Sequence, residues 1–183
     1  MSDKAPCFGG APIIKRGGVI RMNLRNLIEM LENNPNVRSV TNPKLHNVFT
    51  DLKGETVQAV AMMVGDGFYR LEEEAKAEKL VGLAETLAHI YGAPVPKFNV
   101  GTVTFGGFGS YDHPTETITC RNTSIVTFLH EFRHHLQNTT EVRIVANTEF
   151  DAQAWACSIF FRACPELYRK AVANGRIMGV TSV

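Results

Sequence analysis

No apolar run in this sequence can cross a bilayer: the longest, Ala59 to Val64, falls far short of the roughly 20 residues a membrane helix needs. The first residues, with Asp3, Pro6 and paired glycines, lack the hydrophobic core of a signal peptide. The four cysteines, Cys7, Cys120, Cys157 and Cys164, form no C-x-x-C pair and no disulfide-like framework. Reduced thiols and a cytoplasmic location are therefore the expectation. Charge of one sign is not in excess either. The formal net charge is +1, and the first sixty residues carry 8 Lys and Arg against 5 Asp and Glu. That asymmetry is too mild to indicate nucleic acid or an anionic membrane as a partner. Internal repeats are absent. What remains is an ordinary globular composition, 44% hydrophobic and 20% charged over 183 residues, enough for one domain with a sizeable core.

One stretch organises the rest. Thr127 to Leu136 contains His130-Glu131-Phe132-Arg133-His134, an H-E-x-x-H match. One helical turn separates His130 from His134, so both imidazoles project from one face, as a single tetrahedral zinc ion requires. Glu131 beside them is placed to take a proton from a metal-activated water. Phe128, Phe132 and Leu136 form an i, i+4, i+8 apolar row, widened by Ile125 and Leu129, which gives the helix a buried face separate from the histidines. Asn122-Thr123-Ser124 offers N-cap residues upstream. The alternative is an ordinary amphipathic helix carrying an incidental histidine pair.

Around this helix the sequence punctuates itself. Residues 1–19 read as a Gly- and Pro-rich tail, with Cys7 an incidental thiol. Asn23 to Asn33 fits a short helix, and residues 36–53, including His46, are irregular. Val57 to Leu71 and Leu80 to Ile90 keep helical spacing, broken at Gly65-Asp66-Gly67 and ended at Gly92, with Pro94 beyond. Strand periodicity follows: Phe98 to Phe105 predicts one strand and Thr117 to Arg121 another. Between them, Gly106-Gly107-Phe108-Gly109 lacks the lysine and following helix of a phosphate loop. It reads either as a hairpin loop or as a glycine-rich edge that a peptide backbone can approach. A helix from about Asn147 to Cys164 and another from Pro165, capped by Gly175, close the chain.

Two histidines hold zinc poorly alone, and a catalytic site usually has a third protein ligand and one open position. The helix after the motif offers Glu149 and Asp151. Here the sequence resembles the gluzincin metallopeptidases, whose third ligand is a glutamate on that helix, with a polar residue one turn later supporting a ligand histidine. The resemblance implies His130, His134 and Glu149 as zinc ligands, with Gln153 in the supporting place where the clan often has Asp or Asn. It covers about residues 68–164 and is nearest to compact cytoplasmic zincins of the kind found in mobile-element repressor-cleaving peptidases. The fold it implies is α+β: a small mixed sheet packed on a backing helix and the motif helix, followed by C-terminal helices. Residues 56–183 would form that domain and residues 1–55 an N-terminal extension.

The activity implied is hydrolysis of a peptide bond in a protein or peptide substrate, with Glu131 as general base. Glu131 is expected to face an open, wet site. Tyr111, His113, His135 and Arg143 are the candidate oxyanion donors, His135 being rotated about 100° from the ligand face. Two rivals stand: a catalytically inert metal-binding interaction module, and a zinc hydrolase of a non-peptide amide. The intact Glu131 argues against the inert module.

Overall fold

The computed structural model describes residues 51–103, 107–144 and 147–174. The expected helix over 23–33, the stretch 36–50 with His46, Cys7, Phe105 and the Gly175 cap lie outside them. Among the described residues the architecture is α+β, five helices and one three-stranded mixed sheet. No helix there is long and apolar enough to cross a membrane.

Helix α1 spans Gly54–Gly65 and α2 spans Glu73–Tyr91, joined by a 3-10 turn over Phe68–Arg70. The break falls at Gly65-Asp66-Gly67, where Gly67 takes φ +88°, a left-handed conformation that favours glycine. Helix α2 ends at Gly92, also left-handed, whose N–H is bonded back onto the last turn. Glu73 accepts a hydrogen bond from Thr123 at 2.7 Å and so ties the start of α2 to the approach to the motif helix.

The strands are β1 (Lys97–Val100), β2 (Gly109–Asp112) and β3 (Thr117–Cys120). β3 is central, parallel to β1 and antiparallel to β2. The glycine-rich segment thus includes a strand as well as a loop, and β1 stops at Val100, short of the predicted end. Ile118 and Cys120 of β3 point into the core, where α3 (Ile125–Thr139) packs across β2 and β3 while α2 packs on β1. Ser124 caps α3, its hydroxyl accepting from the Thr127 N–H. The apolar row Ile125, Phe128, Leu129, Phe132 and Leu136 is fully buried, with Phe128 edge-on to Phe98 at 5.5 Å.

Helix α4 (Thr148–Ala163), capped by Asn147, lies along α3, and α5 (Pro165–Ala173) follows. α1 packs on α4 and on α2. Ahead of α1, Leu52 packs on the core and Lys53 Nζ donates to the Ile90 carbonyl, so residues 51–53 are tied into the same folded unit.

Candidate metal centre

Helix periodicity and the α3–α4 packing build the site. His130 and His134 stand one turn apart on α3, and Glu149 comes from the first turn of α4. His130 Nε2 and His134 Nε2 are 3.1 Å apart. Glu149 closes the triangle, Oε2 at 3.4 Å from His130 Nε2 and Oε1 at 3.3 Å from His134 Nε2. The three residues form a group able to hold a metal ion.

Hydrogen bonds on the far side of each imidazole decide what faces the centre. His130 Nδ1 lies 3.0 Å from Gln153 Oε1, and His134 Nδ1 lies 2.8 Å from Gln137 Oε1. An amide oxygen only accepts, so each Nδ1 carries the hydrogen and each neutral Nε2 presents a lone pair. Two lone pairs and a carboxylate then converge on one point, a donor set that a cation satisfies. The electrostatics follow. Burial draws the His130 pKa down, but the Glu149 hydrogen bond and the charges of Glu131 and Glu149 outweigh it, and the net shift is upward. His134 shifts downward, through burial and then the charge of His130. When its Nε2 is protonated, His130 donates to Glu149, and that bond holds the Glu149 carboxyl below its ordinary value.

Glu131 corrects one expectation. It is only 6% exposed, and burial pushes its pKa up to about 7, opposed by the charge of His130 and reinforced by that of Glu149. Its side chain packs against β2 at Gly109. A Cβ on Gly109 would stand 2.6 Å from Glu131 Oε1 and 2.8 Å from both Glu131 Cγ and Thr127 Cγ2. Only glycine leaves that room. At Gly109 the glycine-rich segment makes room for a carboxylate side chain.

An open cleft of about 500 Å³ lies over the centre, with Gly109, Tyr111, His113 and Glu131 on its walls beside the three donors. Of the four candidate oxyanion donors, Tyr111 and His113 line it. His135 is fully buried: Nε2–H donates to the Pro94 carbonyl at 2.8 Å. Its Nδ1 accepts from the Tyr111 hydroxyl at 3.1 Å, and the Tyr111 oxygen accepts from Asn138 at 3.0 Å. The Tyr111 proton is thereby committed to His135, which braces β2 against α3. Arg143 contributes its backbone carbonyl, to Arg133.

Asp151, the rival third ligand, is turned the other way. It is 0% exposed and accepts from Arg133 Nε at 2.7 Å and from Gln137 Nε2 at 2.8 Å. Arg133, also 0% exposed, further pairs with Asp51 and lies over the Trp155 ring at 5.4 Å. Sequence reasoning missed Gln137, Gly109 and the Asp51–Arg133 pair. The i, i+3 spacing of His134 and Gln137 carried a signal for the first; nothing local announced Asp51, 82 residues from its partner.

Neither protein-family models nor curated proteins nor solved structures match this chain.

Proposed function

We propose that the protein is a zinc-dependent metallopeptidase of zincin-like architecture. The observation that carries this reading is the donor triangle, 3.1, 3.3 and 3.4 Å on its edges, with Glu131 beside it. A tetrahedral zinc holding nitrogen and oxygen donors at about 2.0–2.1 Å separates neighbouring donors by about 3.3–3.4 Å. The chemistry of the set agrees: two imidazoles and one carboxylate, with the Nδ1–H of each imidazole engaged by an amide, leave room for a fourth, non-protein ligand in the cleft.

Zinc, when bound, supplies a Lewis acid that lowers the pKa of a coordinated water from about 15.7 to about 7. The chain's own residues do the rest. His130, His134 and Glu149 hold the ion, and Gln153 and Gln137 hold the imidazoles. The Glu131 carboxylate takes the proton from the attacking water and passes it to the leaving amine. Packed on Gly109, it is fixed relative to β2. Among the described residues β2 is an edge strand, it borders the cleft, and an extended peptide laid beside it brings a backbone carbonyl over the centre. That edge supports a peptide over other amides as substrate. His113, on the turn after β2, faces the same cleft and is the donor we assign to the carbonyl oxygen. A cytoplasmic setting fits Cys120, Cys157 and Cys164, which are free and buried.

Incubating zinc-loaded protein with a peptide library and reading the products by mass spectrometry tests the activity. Cleavage is expected, falling by about 10²–10⁴-fold in Glu131→Gln while zinc content is kept. Zinc binding without cleavage of any peptide would move the protein to the inert interaction module.

A further inference from the structure

His134 is held by a chain of groups that extends well beyond its amide partner. Gln137, one turn further along α3, presents Oε1 to His134 Nδ1 at 2.8 Å. A glutamine amide can stand either way round in such a place, and the two orientations have opposite consequences. With Oε1 toward the ring, Nδ1 carries the hydrogen and Nε2 is free to ligate. With Nε2 of the amide toward the ring, His134 must accept at Nδ1 and carry its hydrogen on the ring Nε2, where a metal would sit.

Two acceptors choose between these orientations. The Gln137 amide nitrogen donates to the Thr148 carbonyl at 3.0 Å and to Asp151 Oδ2 at 2.8 Å. Neither acceptor has a hydrogen to give to an amide oxygen, so the flipped amide would face two repulsive contacts. Asp151 is in turn fixed by a two-point contact with Arg133, Nε to Oδ2 at 2.7 Å and the second terminal nitrogen to Oδ1 at 3.3 Å. The remaining arm of the Arg133 guanidinium reaches Asp51, just before α1. Arg133 and Asp151 are both wholly buried, so neither end of this contact can swing into solvent.

We propose that Gln137, Asp151 and Arg133 are positioning residues that fix the tautomer and aim of His134 as a metal ligand, with Asp51 anchoring the far end. This rests on the metal-centre reading above. The chain joins α3 to α4 and to the segment ahead of α1, so the folding of three parts of the chain is expressed at one ring nitrogen. On the other ligand, His130 Nδ1 meets Gln153 Oε1 at 3.0 Å, and that amide's nitrogen lies on Cys157 Sγ at 3.4 Å.

The test uses zinc alone as the probe, with the affinity read by competition against a chromophoric chelator and the ring of His134 read by two-bond proton–nitrogen correlation in zinc-loaded, nitrogen-15-labelled protein. Wild type is expected to show a protonated Nδ1 and a metallated Nε2. Gln137→Leu removes the acceptor of His134 and one donor to Asp151 while leaving the Arg133–Asp151 contact itself in place, and zinc affinity is expected to fall roughly 10- to 100-fold with the single tautomer lost. Gln137→Glu can only accept from Nδ1–H, so it is expected to keep the tautomer even though its charge beside Asp151 lowers the melting temperature. Asp151→Asn is expected to follow the Leu variant in zinc affinity. Zinc binding by Gln137→Leu with wild-type affinity and an unchanged tautomer overturns the proposal while leaving the metal centre standing. Loss of the tautomer in Gln137→Glu along with stability would likewise overturn it, marking the contact as structural. A wild-type protein that takes up no zinc overturns both readings.

Discussion

Glu149 and Asp151 stand two residues apart in the first turn of α4, share the same helix N-terminus, and have opposite fates. Two residues rotate about 200° around a helix, so the packing of α3 on α4 can bury only one of them. The Glu149 side chain remains 75% exposed and meets both histidines; that of Asp151 is 0% exposed and meets Arg133 and Gln137. One carboxylate is available to a ligand because, among the described residues, it has no strong partner besides the two histidines. The other is unavailable because a buried guanidinium holds it. The helix dipole favours both equally and so explains neither. Chemistry at this site is decided by which side of α4 the core takes.

The largest effect expected from breaking this contrast is on stability. Asp151→Ala removes the buried one of the two carboxylates paired with the Arg133 guanidinium, whose pKa burial pulls down but the bonds and charges of Asp151 and Asp51 raise above its ordinary value. A loss of about 3–5 kcal/mol is expected in denaturant unfolding, the typical result of removing one partner of a buried pair. Replacing Arg133 and Asp151 together by apolar residues should recover much of it. Glu149→Ala should do the reverse: stability within about 0.5 kcal/mol of wild type, but zinc affinity lower by more than the roughly 100-fold that loss of a supporting residue can bring. Equal zinc affinity in that variant, with loss in an Asp151 variant that still folds, would exchange their roles.

Glu131 sharpens the comparison as a third carboxylate, buried and with no salt bridge among the described residues. In chelator-treated protein its pKa is raised to about 7, so the folded state binds a proton the unfolded state releases near its ordinary value. The stability this contributes is present in full at low pH and lost as pH rises from about 4.5 to about 7. Glu131→Gln should remove that slope, making the variant more stable than wild type by about 3 kcal/mol above pH 7. An unchanged slope in the variant would assign the pH dependence elsewhere. Gly109→Ala should cost less, about 1–3 kcal/mol from crowding of Glu131 and Thr127, and should slow hydrolysis while zinc stays bound. Wild-type activity in that variant would show that Glu131 does not need its place against β2.

The motif helix was legible because three local signals coincided: the apolar row, the Ser124 cap and the one-turn histidine spacing. The helical breaks at Gly67 and Gly92 were legible for the same reason, since left-handed backbone leaves a mark in composition. β2 was not. Of its residues only Tyr111 favours strands, while Gly109 and Asp112 disfavour them, and the strand exists because β3 and α3 provide its partners. The buried state of Glu131 was hidden because it depends on a missing side chain, Gly109, on another element. The Arg133–Asp51 pair was hidden for a related reason: a charged residue inside the motif looks solvated until the tertiary fold encloses it.

The central claim is that three residues from two helices hold one zinc ion. Elemental analysis of protein purified without chelators, followed by zinc titration of the stripped protein, tests it most directly. About one zinc per chain is expected in wild type, with uptake lost in His130→Ala and His134→Ala. A protein that carries no zinc and binds none when it is added would contradict the account at its base.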